Sequence, residues 1–209
     1  MKQKLIITGV TALVLGAGIG LAACGSSNKT STASTTGAST TTMANKPAAH
    51  NDADVTFTQG MIPHHQQAVT MAKLATTRAS DPRVKDLASR IQGAQDPEIK
   101  QLQGFLTSFG VMASTDTTMA GMDHGTTAGM DNMSANGMAS DADLKKLADS
   151  TGADFDKLFV QLMTAHHQGA VAMAQMEIKG GEYQPAKGLA QKIINAQTAE
   201  INEMKGFGL

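Results

Sequence analysis

Two adjacent histidines stand between methionines in MIPHHQQAVTMA, residues 61–72, and the arrangement returns in LMTAHHQGAVAMA, residues 162–174. Imidazole nitrogens and thioether sulfurs are borderline and soft donors. His64, His65, His166 and His167, with Met61, Met71, Met163 and Met173, therefore make a ligand set for a transition metal. Downstream, Gln95 and Glu98 in AQDPEI recur as Gln197 and Glu200 in AQTAEI, where they can ligate or orient the imidazoles. The competing use of the same residues is a buried His, Glu and Gln network that only sets register between helices. Between the two motifs, residues 110–140 carry Met119, Met122, His124, Met130, Met133 and Met138 without helical or strand periodicity. A linker this long inside a small domain asks for a function. With no thiolate available, its donors suit Cu(I) and Cu(II) better than Mg, Ca or Zn; the alternative is a spacer with incidental methionines.

These residues have to be positioned by helices. Asp54–Phe105 superposes on Asp156–Phe207 at a constant offset of 102 residues, with D-x-x-F-x-Q-x-M-x-x-H-H-Q-x-A-V-x-M-A followed by an A-Q-x-x-E-I segment. Such self-similarity marks duplication of one supersecondary unit. Phe57, Met61, His64, Ala68, Met71 and Ala75 recur at spacings of 4 and 3, as do Phe159, Met163, His166, Ala170 and Met173, so the first helix of each unit has one inward seam. A second helix is marked by Val84, Leu87, Ile91, Ala94, Glu98 and Phe105, matched by Ala186, Leu189, Ile193, Ala196, Glu200 and Phe207. Turns fall at Ser80-Asp81-Pro82 and Gly180-Gly181. Two such hairpins bury their seams only against each other, which predicts an all-α four-helix bundle.

Within it His64 and His166 take seam positions, and His65 and His167, about 100° further round, flank them. Counting from the first turn puts His64 and Glu98 within roughly 3 Å of the same height, and His166 beside Glu200 likewise. The expectation is a layer in which His64 faces Glu98 and His166 faces Glu200. Gln95 and Gln197 lie one turn away, with the four methionines above and below. Pro63 and Pro97 are expected to kink or start helices beside the site. Asp141–Asp149 (DADLKKLAD) reads as a short helix capped by Ser140.

Residues 1–23 read as a lipoprotein export signal: Lys2 and Lys4, an apolar run too short to span a bilayer, then Leu21-Ala22-Ala23 before Cys24. Cleavage would make Cys24 the lipidated N-terminus, anchoring the chain on the extracytoplasmic face of a membrane. Because Cys24 is the sole cysteine, an internal disulfide and a CxxC redox motif are excluded. Residues 24–53 form a Ser/Thr-rich tether, and 54–209 hold the duplicated domain: repeat one 54–109, the Met-rich linker 110–140, repeat two 141–209. Removal of the signal leaves 15 basic residues, the 17 of the whole chain less Lys2 and Lys4, against 18 acidic, so nucleic-acid binding has no electrostatic support.

The doubled HHQ motif with its downstream A-Q-x-x-E-I resembles domain-of-unknown-function family 305, exported proteins with a ferritin-like four-helix bundle, over residues 54–207. Some members are implicated in copper binding and tolerance, which is what the resemblance implies here. MAGMDHG separately resembles Met-rich loops of periplasmic copper-resistance proteins. The sequence thus points to a copper-binding lipoprotein that sequesters the metal or passes it to a partner protein. A carboxylate-bridged di-iron or di-manganese oxidoreductase is the enzyme alternative, but its Glu-x-x-His pairs do not occur anywhere in the chain. A structural or interaction module is the third reading, and metal analysis of the natively purified protein separates all three.

Overall fold

The computed structural model describes residues 48–111 and 136–209. The described residues form α1 Asp52–Arg78, α2 Pro82–Phe109, α3 Asp141–Asp149, α4 Gly152–Gly180 and α5 Gln184–Gly206. The ends are written locally. Asn51 accepts from the N–H groups of Ala53 and Asp54, while Asp54 returns to the Asn51 N–H in a capping box. Asp81 caps α2 ahead of Pro82, and Gly110 closes it at a φ of 73°. Ser140 caps α3 with Asp143 as the sequence predicts. Pro63 starts no helix: it lies inside α1, which begins at Asp52 within the stretch assigned to the tether. Burial of Phe57 and Met61 before it and Ala68 and Met71 after it carries the helix through the break.

α1 packs on α2, α4 packs on α5, and the two hairpins meet along α1 and α4. The apolar core divides in two. One cluster contains Met71, Leu87, Ile91, Phe155, Phe159 and Met163 and takes in Leu147 of α3. The other contains Met61, Leu102, Phe105, Met173, Leu189 and Ile193. Met71 shares a cluster with Met163, and Met61 with Met173, as antiparallel α1 and α4 related by a pseudo-twofold axis require. One expectation of the inward face is corrected. Ala94 and Ala196 are exposed, and Gln95 and Gln197 are buried, at 2% and 3% exposure. The buried layer between the two clusters is polar, so the amides turn toward it and the alanines, with little surface to bury, turn out.

Reciprocal clamps hold the hairpins together. The Asp54 carboxylate accepts from the backbone N–H groups of Glu182 and Tyr183 in the α4–α5 turn, at 2.9 to 3.2 Å. Its counterpart Asp156 accepts from the N–H groups of Ser80 and Asp81 in the α1–α2 turn, and from the Ser80 hydroxyl. An aspartate near the start of each hairpin thus closes the other hairpin's turn. Asp156→Ala leaves those donors without a partner, and chemical denaturation is expected to register a loss of about 2 kcal/mol, with Asp156→Asn recovering part of it.

Candidate metal centre

The seams of α1 and α4 face each other, so His64 meets His166. Their ring centroids are 3.7 Å apart with 41° between the planes. One residue further round each helix, His65 and His167 turn toward the second helix of their own hairpin. His65 Nε2 lies 2.8 Å from Glu98 Oε2, and His167 Nε2 lies 2.8 Å from Glu200 Oε2. This corrects the pairing expected from sequence, in which His64 faced Glu98 and His166 faced Glu200. The heights were right and the azimuth was not: the seam of α1 packs on α4, and it is the flanking histidine that looks at α2. All four imidazoles are 0% exposed.

Hydrogen-bond chemistry sets the tautomers. A carboxylate accepts only, so His65 and His167 each carry their proton on Nε2 and donate it. His64 Nε2 likewise donates to the Asn136 carbonyl at 3.0 Å. Among the described residues the buried Nδ1 atoms of His64, His65 and His167 have no partner, and His166 has none at either nitrogen. The Oε1 atoms of Gln95 and Gln197 are also unpartnered among the described residues. A buried polar atom left unsatisfied costs roughly 1–3 kcal/mol. Five imidazole nitrogens in that condition within one layer make a poor self-satisfied network, and because a neutral His166 carries one N–H they offer up to four lone pairs. Metal-binding histidines characteristically donate their other N–H to a carboxylate or a carbonyl, as three of these do.

Burial lowers His64 to a pKa of about 4, against the weaker upward pull of the Asn136 carbonyl. Burial first, then the neighbouring imidazoles, hold His166 well below the usual histidine range. Both rings are therefore neutral at pH 7, and no proton competes for the lone pair.

Thioethers bracket the layer. Met61, Met71 and Met163 are fully buried, and Met173 is 7% exposed; Met173 reaches across to α1, where its Cε lies against Gly60. Among the described residues no three His, Asp or Glu side chains converge on one point. As the side chains stand, the donors come as histidine pairs with thioethers above and below. Glu98 and Glu200 sit at opposite flanks, each on its own hairpin's histidine, which is not the shared position a carboxylate-bridged di-metal centre uses.

Of the linker residues, Met138 is described and half-buried. Met119, Met122, His124, Met130 and Met133, like Cys24 and the export signal, lie outside the described residues. Two participants were not anticipated from sequence, the Asn136 carbonyl and Gln67. The signal that could have found them is a break in the doubled motif, HHQQ in the first copy against HHQG in the second.

An antiparallel pair of helical hairpins with a twice-made buried histidine layer defines the class. The model of the family described as Domain of unknown function (DUF305) matches residues 54–207, and the chain belongs to that family. A DUF305 protein of Streptomyces coelicolor, proposed to be secreted, is 32% identical with a TM-score of 0.61, over 73% of this chain and 88% of that one. CopM in its Cu(II)-bound form is 36% identical with a TM-score of 0.59, over 74% of this chain and 94% of CopM. CopM has also been solved in Cu(I)-bound and Ag-bound forms. An uncharacterized protein of Acanthamoeba polyphaga mimivirus is 43% identical over 53 residues, 25% of this chain and 35% of that protein. No helix among the described residues is long and apolar enough to cross a membrane.

Proposed function

We propose that the chain is a copper-binding protein that works outside the cytoplasm, held to a membrane by a lipid on Cys24, and that it sequesters copper or hands it to a partner protein. Copper is its cargo. The observation that carries this reading is the layer of four fully buried imidazoles with unpartnered ring nitrogens. Neutral imidazole and thioether are the donors that Cu(I) accepts, and His64 and His166 offer the first between two clusters that hold Met71 and Met163 on one side and Met61 and Met173 on the other. His65 and His167 supply the flanking lone pairs, with Glu98 and Glu200 orienting them. The Cu(I)-, Cu(II)- and Ag-bound forms of CopM support the same choice of metal. Met119, Met122, His124, Met130, Met133 and Met138 extend the capture to the linker.

Anaerobic titration of the full chain with Cu(I), in competition with a chelator of known affinity, tests the proposal. Stoichiometric binding is expected, weakened in steps by His64→Ala with His166→Ala and by methionine replacement in the linker. Glu98→Gln and Glu200→Gln are expected to weaken it about 10–100-fold each by loosening the imidazoles they orient. Copper affinity no greater than that of a scrambled linker peptide would sink the reading.

A further inference from the structure

The pseudo-twofold symmetry of the bundle is broken at the histidine layer by one segment, residues 136–139, which leads from the linker into α3. Its backbone crosses the α1–α4 seam at the level of the central pair. The Asn136 carbonyl accepts the His64 Nε2 proton at 3.0 Å, while the equivalent nitrogen of His166 has no partner among the described residues. Gln67 of α1 grips the segment from one side with a reciprocal amide pair. Its Nε2 donates to the Ala139 carbonyl at 2.9 Å, and its Oε1 accepts from the Ala139 N–H at 2.8 Å.

From the other side the segment lies directly on α4. A Cβ at Gly169 would stand 1.6 Å from the Asn136 oxygen, and one at Gly137, whose φ is +74°, would stand 2.3 Å from the Ala165 oxygen. Only a glycine on each surface allows this approach. Gln67 and Gly169 are related by the 102-residue offset. The single difference between HHQQ and HHQG is therefore the difference between the residue that grips the segment and the residue that makes room for it. Asn136, Gly137 and Met138 are half-buried, so this cover is thin and lies at the surface, over rings that are completely buried.

We propose that residues 136–139 are a displaceable strap over the histidine pair, held by Gln67 and seated on Gly169, and that a soft metal ion reaches His64 and His166 only when the strap lifts. The inference rests on the copper reading of the same layer. Lifting the strap releases His64 Nε2 and opens the seam where the two tilted rings meet. Gln67 and Gly169 are positioning residues; neither needs to touch the ion.

The test uses the full chain and its Gln67→Ala variant, with Ag(I) as the probe. Hydrogen exchange of the Ala139 amide and of the His64 Nε2–H, read by NMR without metal, is expected to quicken about tenfold when the amide pair is lost. The Ag(I) association rate in stopped flow should rise by a similar factor. Gly169→Ala, which drives a methyl group into the Asn136 carbonyl, should act in the same direction. Faster exchange with an unchanged Ag(I) association rate would overturn the strap and leave the copper reading standing. So would unchanged exchange in both variants. Failure of the parent chain to bind Ag(I) at all would overturn both.

Discussion

Replacing His166 with leucine is expected to make the metal-free chain more stable and to abolish its response to metal. His166 is fully buried with neither ring nitrogen partnered among the described residues, so the fold bears a desolvation cost there that an apolar side chain of similar size would not incur. The gain should be roughly 1–3 kcal/mol, seen as a rise of roughly 3–10 °C in melting temperature. The parent chain with Ag(I) at a hundredfold excess over its dissociation constant should gain about 2.7 kcal/mol by mass action, and the variant should lose that gain. A purely structural polar layer predicts the reverse in the first measurement, because removing one member would leave the others exposed to the same cost. A leucine variant less stable than its parent without metal would therefore count against His166 as a ligand held in reserve.

Stability should also respond to pH from two directions at once. Burial lowers His64 to about 4 and holds His166 far below its usual range. The unfolded chain thus binds protons that the folded chain refuses. Their contribution is intact above pH 6.5 and is lost as pH falls toward 4, with His64 alone accounting for about 3 kcal/mol. Glu177 works oppositely. Burial, then contact with the Asp54 carboxylate, push it up to about 8, with Lys187 offsetting part of the rise.

Burial would raise Asp54 too, but the N–H groups of Asn51, Tyr183 and Glu182 and the Glu177 carboxyl outweigh it and hold Asp54 below its usual range. The stability Glu177 lends as a neutral acid is present below pH 4.5 and disappears as pH rises through 8. Glu177→Gln mimics the neutral form at every pH. Denaturation midpoints for that variant should match the parent at pH 5 and exceed it at pH 9. An alkaline limb unchanged by the substitution would show that Glu177 is not the group responsible.

The repeat, the hairpins, the turns and the residues of the buried polar layer were largely legible along the chain, because each follows from short-range spacing. Periodicities of 3 and 4 place His64 and His166 on seams, capping residues mark the helix ends, and equal distances from a turn bring His and Glu to one height. Which histidine meets which partner was not legible. Two residues adjacent in sequence differ only in azimuth, and whether α1 turns its seam to α2 or to α4 depends on how the hairpins dock. Docking on α4 brings the His64 ring against that of His166 and leaves Glu98 and Glu200 to His65 and His167. It exchanges Ala94 and Ala196 for Gln95 and Gln197 on the inner face, and it brings Asp54 and Asp156 to each other's turns.

The amino-acid sequence by itself determined a duplicated all-α unit, the histidines and methionines of its seams, and an asymmetry at Gln67 and Gly169. Tertiary structure alone decided that the asymmetry receives the strap at residues 136–139, since a backbone segment and a helix far from it in the chain come into contact only after both hairpins have packed.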